Sequence, residues 1–216
     1  MKQYIVGLAG PKRAGKSIIA SMISSTFNAR DFAIADKLKA NMSMIFNIPM
    51  RFFIDPELKE RHFEKPIFLN PLHVEKLMSI YGEPEKNMEF DYSKIFRNTR
   101  DIMQYMGTEV LRNLYGADIH ISNIPLMEGA INVVTDVRFL NELEYIKSKR
   151  DNYIVYNIYV HRDEAELQAI QSHHQSEREP LTLRDKCDIV IYNNGSFAET
   201  ERAMFNAMIK VISENL

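Results

Sequence analysis

The chain has 216 residues, 45% of them hydrophobic and 26% charged, with a formal net charge of −2. This is the balance of a folded globular protein with one sizeable core; it excludes a disordered chain and gives no support to bulk electrostatic binding of nucleic acid or an anionic membrane. Cys187 is the single cysteine, so an intramolecular disulfide and a cysteine-based zinc cluster are excluded, and no apolar run approaches the roughly 20 residues that cross a bilayer.

Residues 3–9, "QYIVGLA", form a short apolar run closed by Gly10-Pro11, which predicts a buried strand ending in a turn. Residues 16–27 then place Ile18, Ile19, Met22, Ile23 and Phe27 at helical spacing, and "RDFAIA" at 30–35 reads as a further short strand. Between about 48 and 93 the pattern degrades, broken by Pro49, Pro56, Pro66, Pro71 and Pro84, so an inserted lobe is expected there. Helical periodicity resumes over 94–114, with Ile102, Met103, Met106, Val110, Leu111 and Leu114 along one side and Gly107 as a point where the helix could divide.

Three more apolar runs follow: "AINVVTDV" at 130–137, "NYIVYNIYV" at 152–160 and "CDIVIYN" at 187–193, each leading into a helix-compatible segment. Continuous β-branched runs alternating with helices predict an α/β domain around a parallel five-stranded sheet. The expected organisation is a single domain over 1–216, with a core of 1–47 and 94–216 and the lobe at about 48–93. Residues of about 162–180, "RDEAELQAIQSHHQSEREP" and its margin, form a long polar stretch read either as a mobile lid or as a solvated surface helix.

The chemistry starts at Gly10. Gly10, four residues, then Gly15-Lys16-Ser17 matches G-x-x-x-x-G-K-[ST], and it lies after a predicted strand and before a predicted helix. Such a P-loop turns successive N–H groups toward phosphate oxygens, and the helix start adds its positive end; Gly10, Ala14, Gly15, Lys16, Ser17 and Ile18 are expected among the residues that bind the phosphates. Lys16 is expected to reach the outer phosphates of ATP and the Ser17 hydroxyl to hold Mg²⁺. Lys12 is counted with the ATP-binding residues, whereas Arg13 reads as a solvated loop charge.

A P-loop enzyme also needs an acidic group at a neighbouring strand end, and Asp136 in "NVVTDVRF" fits, either as a second metal-orienting residue or as a cap for the following helix. Phosphoryl transfer further needs cations around the migrating group, for which Arg100, Arg112, Arg138, Arg162 and Arg178 are candidates, each also readable as a surface charge. Lys16, Arg138, Arg162 and Arg178 are taken as the catalytic set. His173-His174 lack ligand-spaced partners and are assigned no metal.

Separated blocks now carry a resemblance: "GLAGPKRAGKS", "AIADKLK" at 33–39, "RDIMQYMGTEVLR" at 100–112, "TDVRFLNE" at 135–142 and "CDIVIYNNGSFAE" at 187–199. In this order the chain resembles the deoxynucleoside monophosphate kinases of bacteriophages, a branch of the P-loop nucleoside monophosphate kinases. The resemblance implies a P-loop kinase fold with an acceptor-binding lobe and a lid. The implied activity is transfer of the ATP γ-phosphoryl group to the 5′-phosphate of a deoxynucleoside monophosphate, with Mg²⁺ as cofactor.

It further implies that Asp36 and Lys39 lie near the acceptor, that Arg100 and Arg112 bind its phosphate, that Gln104 faces its base, and that Asn193, Asn194 and Gly195 border the adenine of ATP; Asp136 is counted with the substrate-binding residues as well as with the metal. Lys37 stands where the family block often has proline, Leu140 where "RFPNE" has proline, and His120 where tryptophan is common. A cytoplasmic protein acting on small molecules, without nucleic acid or membrane as partner and with a homodimer left open, is expected. Two alternatives stay open: a P-loop kinase for another acceptor, of the dephospho-coenzyme A or phosphomevalonate type, and a nucleotide-binding regulator, against which stands the missing guanine-selecting N-K-x-D block.

Overall fold

The computed structural model describes residues 3–86 and 89–214. β1 (Tyr4–Ala9) leads through a loop into α1 (Lys16–Phe27), followed by β2 (Arg30–Ala33) and α2 (Asp36–Phe46). The short helices α3 (Arg51–Ile54) and α4 (Pro56–Glu60), then β3 (Ile67–Phe68), α5 (Pro71–Tyr81) and β4 (Ile95–Phe96), come next. A continuous helical stretch then runs through α6 (Thr99–Gln104), a π-helix (Tyr105–Leu111) and α7 (Arg112–Tyr115). β5 (Ile131–Val137), α8 (Leu140–Lys147), β6 (Ile154–His161), α9 (Asp163–Gln171), α10 (Gln175–Arg178), β7 (Ile189–Tyr192) and α11 (Phe197–Ser213) follow.

The chain forms two compact units, one of Met1–Ile34 with Ile121–Leu216 and one of Ala35–His120. The lobe expected at about 48–93 therefore lies inside a larger unit, because residues 35–47 and 94–120 cluster with it and not with the sheet. Among the described residues no helix is long and apolar enough to cross a membrane.

In the first unit the five strands are parallel, in the order β2-β5-β1-β6-β7, flanked by helices as expected. Alternation along each strand feeds two cores, as a sheet covered on both faces requires. β1 sends Val6 and Leu8 to the core shared with α1 and α11, and Ile5 and Ala9 to the core shared with α8. Gly7 carries no side chain because a Cβ there would lie 2.4 Å from Oδ1 of Asn157 on β6. Of the apolar positions read along α1, Ile19, Met22 and Ile23 are buried, but Ile18 is 51% exposed. The reason is angular: Ile18 sits about 100° round the helix from Ile19, off the stripe that faces the sheet.

β1 is the central strand, and the chain leaves it toward β2 on one side while β6 and β7 extend the sheet on the other. Open α/β sheets bind ligands outside the carboxyl ends of the strands at such a reversal, which is where the loop after β1 stands.

The second unit has its own core, in which Leu38, Met42, Ile45 and Phe46 of α2 meet Leu77 of α5, Phe96 of β4 and the apolar side of the 99–115 helix. Ile102, Met106, Val110, Leu111 and Leu114 are fully or almost fully buried there, and Met103 partly so, as the periodicity predicts. Gly107 does not divide the helix; the stretch continues across it with a π-helical turn, and the residues at both junctions keep right-handed helical angles. Asn70 starts α5 by accepting the N–H of His73 at 3.1 Å, with Pro71 at the first helical position, a combination that suits a helix start.

Candidate active site

The loop from Gly10 to Gly15 turns through three residues with positive φ, Gly10 at 135°, Arg13 at 66° and Gly15 at 102°. At Gly10 glycine is required twice over, since a Cβ would also come within 2.5 Å of the Val160 carbonyl oxygen on β6. Ala14 is buried beneath the loop and Arg13 is exposed, as expected for a solvated charge. α1 makes its first ladder bond from the Ile19 N–H to the Gly15 oxygen at 3.1 Å. The N–H groups of Lys16, Ser17 and Ile18 therefore head the helix outside its ladder, the arrangement that favours an anion.

Lys16 is only 6% exposed, and its Nζ donates to the carbonyls of Gly10 and Pro11, each at 2.8 Å. Burial lowers its pKa from 10.5 to about 8, partly countered by the charges of Asp136 and Glu177, with Arg138 adding to the depression. An ammonium held in this state gains from any anion that replaces its carbonyl partners.

Asp136 lies at the end of β5, where the register with β1 slips by one residue between Gly7 and Ala9. Its φ is +63°, in the left-handed region that Asp tolerates better than most residues. Such a bulge at a strand end re-aims a side chain. The Asp136 carboxylate lies 3.8 Å from Arg138, whose other end meets Glu177 at 3.4 Å. Burial opposes the Arg138 charge, but Asp136 and Glu177 outweigh it and raise the pKa further. The turn into α8 has its N–H groups accepted by carboxylates: Glu142 takes those of Arg138 and Phe139 at 2.8 and 3.1 Å, and Glu179 takes that of Leu140 at 3.0 Å.

Two of the candidate arginines are placed differently. Arg162 starts α9 and pairs with Glu164 on the same helix at 3.2 Å. Arg178 is exposed at the end of α10, and it is the preceding Glu177 that is buried against Arg138. The polar stretch at 162–180 thus forms α9, which buries Ala165 and Ala169, and the short α10.

The turn from β7 into α11 brings Asn193 beneath the loop. Its Nδ2 donates to the Ala14 carbonyl at 2.7 Å, its Oδ1 accepts the Thr200 hydroxyl at 2.6 Å, and its N–H donates to the His161 carbonyl at 2.8 Å. The Asn193 amide packs so closely that a Cβ on Gly15 would lie 2.2 Å from it. Asn194 accepts the Asp163 N–H at 2.9 Å, and Gly195 stands before the Ser196–Glu199 capping box that opens α11.

For Mg²⁺ the first unit offers an exposed hydroxyl at Ser17 and a carboxylate at Asp136. Among the described residues no group of three or more His, Cys, Asp or Glu could hold a metal ion by itself. A hydroxyl and a carboxylate fit an ion that keeps several waters and shares phosphate oxygens, as Mg²⁺ does.

In the second unit, Asp36 and Lys39 form an ion pair at 2.6 Å in the first turn of α2. Arg100 pairs through Nε with Glu60 of α4 at 2.5 Å. Gln104 closes α6, Arg112 opens α7, and both are half-buried. Gly107 lies between them against α2, where a Cβ would come within 2.6 Å of Leu38. His120 Nε2 donates to the Gly107 carbonyl at 2.8 Å, and burial lowers the His120 pKa, with the nearby Arg112 charge acting the same way.

Sequence reasoning missed Glu177, Glu142, Glu179 and Thr200. Glu177 and Glu179 gave no signal, since each acts on a residue 39 positions away in the chain, whereas Glu142 acts locally, at the third position of α8. Ser196-Phe-Ala-Glu199 did carry one, because S-x-x-E marks a helix start and so places 193–195 in the preceding turn.

No protein-family model matches the chain, and no curated protein sequence does. Among solved structures, shikimate kinase from Aquifex aeolicus is similar at 12% identity over 97% of each chain, with a TM-score of 0.46. Dephospho-CoA kinase from Campylobacter jejuni is similar at 14% identity over 99% of this chain and 100% of the other, with a TM-score of 0.46. Shikimate kinase from Acinetobacter baumannii is similar at 15% identity over 99% of this chain and 96% of the other, with a TM-score of 0.43. At such identities and scores the likeness says nothing about substrate or chemistry.

Proposed function

We propose that the protein is a P-loop kinase that transfers the γ-phosphoryl group of ATP to the 5′-phosphate of a deoxynucleoside monophosphate. The observation that carries the donor half is the burial of Lys16 at the start of α1, with Asp136 and Arg138 acting on its charge. A buried ammonium beside a helix head whose Lys16, Ser17 and Ile18 N–H groups lie outside the ladder suits a phosphate-bearing ligand. In this reading Gly10, Lys12, Ala14, Gly15, Lys16, Ser17 and Ile18 hold the phosphates, Asn193, Asn194 and Gly195 border the adenine, and Lys16 with Arg138, Arg162 and Arg178 serves the moving phosphoryl group. Ser17 and Asp136 would hold Mg²⁺, which when bound neutralises phosphate charge. What supports the acceptor half is the set Asp36, Lys39, Arg100, Gln104 and Arg112 in the second unit, two guanidiniums and one amide along one helix. Asp136 is proposed to serve the acceptor side as well.

The test is a coupled assay with ATP, Mg²⁺ and dAMP, dGMP, dCMP, dTMP and their ribose counterparts. Turnover of one or more deoxynucleotides supports the proposal. Turnover of dephospho-coenzyme A or phosphomevalonate, with none of the monophosphates used, would replace the acceptor while leaving the kinase. ATP binding without turnover of any acceptor would leave a nucleotide-binding regulator.

A further inference from the structure

Residues that recur every fourth position drift round an α-helix. At roughly 100° per residue each step of four overshoots a full turn by about 40°, so positions twelve apart end about a third of a turn from each other. The 99–115 helix contains two such rows. One is apolar, Ile102, Met106, Val110 and Leu114, and all four are buried in the same core. The other is Arg100, Gln104, Thr108 and Arg112, half a turn away. On an α-helix neither row could be straight.

The π-helix from Tyr105 to Leu111 winds against that drift. Its i→i+5 bonding turns each residue through less than an α-helix does, and over seven residues the deficit is on the order of a third of a turn. By that deficit Leu114 returns toward the side of Ile102, with which it shares a core, and Arg112 toward the side of Arg100. Gly107 lies within it, with no side chain because Leu38 occupies that space. Its carbonyl receives a partner from outside the helix: His120 Nε2 at 2.8 Å. A carbonyl can only accept, so the ring is in the form that carries hydrogen on Nε2. A side chain that enters the helix ladder is one of the recognised causes of departure from α geometry.

We infer that His120 is a positioning residue: its bond to the Gly107 carbonyl holds the π-helical turn that sets Arg112 on the side of Arg100 and Gln104, so that two guanidiniums and an amide face one nucleoside monophosphate. This rests on the acceptor site proposed above. The role assigned to His120 is exerted through the helix and not by contact with the substrate.

The test compares His120→Phe, which keeps a ring and loses the donor, with His120→Gln, whose amide N–H reaches to the same distance. With the best monophosphate of the panel, His120→Phe should raise the acceptor KM at least tenfold while the ATP Kd, read by calorimetry, stays within twofold. His120→Gln should recover most of the loss. Amide hydrogen exchange at 110–114 should quicken in the Phe variant and return in the Gln variant, a readout independent of turnover. If His120→Phe fails to fold, His120→Asn, with an amide too short to reach Gly107, replaces it. Unchanged KM and unchanged exchange in the donor-less variant would overturn the inference, as would equal losses in the Phe and Gln variants. Arg112→Lys separates the two levels: if it raises the acceptor KM while His120→Phe does not, only the role of His120 falls. If it leaves the KM unchanged, the acceptor site falls and takes the inference with it.

Discussion

The two units build their candidate sites from different materials. In the first, the site is mostly backbone: a turn of three positive-φ residues, the head of α1 and one lysine folded onto two carbonyls. In the second it is mostly side chains, spread along a helix whose geometry departs from α and fixed by pairs such as Arg100 with Glu60. A backbone site tolerates change in most of its side chains and none in its glycines. A side-chain site can be retuned one residue at a time, so donor binding should be rigid in specificity and acceptor binding adjustable.

The sharpest way to break this contrast is at Lys16, the side chain that folds onto two carbonyls of the backbone site. Lys16→Ala should lower kcat at least about a hundredfold, some 2.7 kcal/mol at 1.36 kcal/mol per decade, with circular dichroism unchanged. Near-normal turnover would remove the lysine from the chemistry and leave the loop as an unused turn.

Arg100→Lys tests the other side of the comparison with a smaller effect. Lysine cannot copy a forked guanidinium contact to phosphate, so the acceptor KM should rise about tenfold with ATP binding nearly intact. Gln104→Ala should instead reorder the preference among the bases, because an amide reads hydrogen-bonding edges. If either variant weakened ATP alone, the division of labour between the units would be wrong.

The smallest effect is a pH dependence confined to the first unit. The Lys16 pKa is lowered in the folded protein from 10.5 to about 8, so the folded state releases this proton before the unfolded chain does. Stability therefore rises with pH between about 8 and 10.5, and the cost of the buried cation is fully present below that window. Bound phosphate favours the charged form, so ATP binding at about pH 9 should take up a proton and weaken as pH rises further. Calorimetry in two buffers of different ionisation enthalpy measures that uptake, which Lys16→Met should abolish. The same uptake in both proteins would assign the proton to another group.

Much of the first unit is legible in the amino-acid sequence. The run "QYIVGLA", the G-x-x-x-x-G-K-S spacing and the apolar stripe of α1 are local patterns, and local patterns decide strands, turns and helix starts because the interactions behind them span only a few residues. The parallel sheet follows from three more runs of the same kind. Even the exposure of Arg13 is readable, since a loop charge flanked by Lys12 and Ala14 has no local partner.

What only the tertiary structure decided depends on residues far apart in the chain. Asp136 is readable as a strand-end carboxylate, but its left-handed backbone arises from a register slip against β1, more than a hundred residues earlier. Glu177 rather than Arg178 enters the cluster because α10 packs that face, and a four-residue helix has no periodicity from which to read it. Asn193 reads as a turn residue, and its hold on Ala14 exists only where β7 and the loop after β1 converge. The rows at 100, 104, 108, 112 and at 102, 106, 110, 114 are plain in the sequence. A spacing of four is ambiguous between α and π winding, and packing against Leu38 with the bond from His120 resolves it.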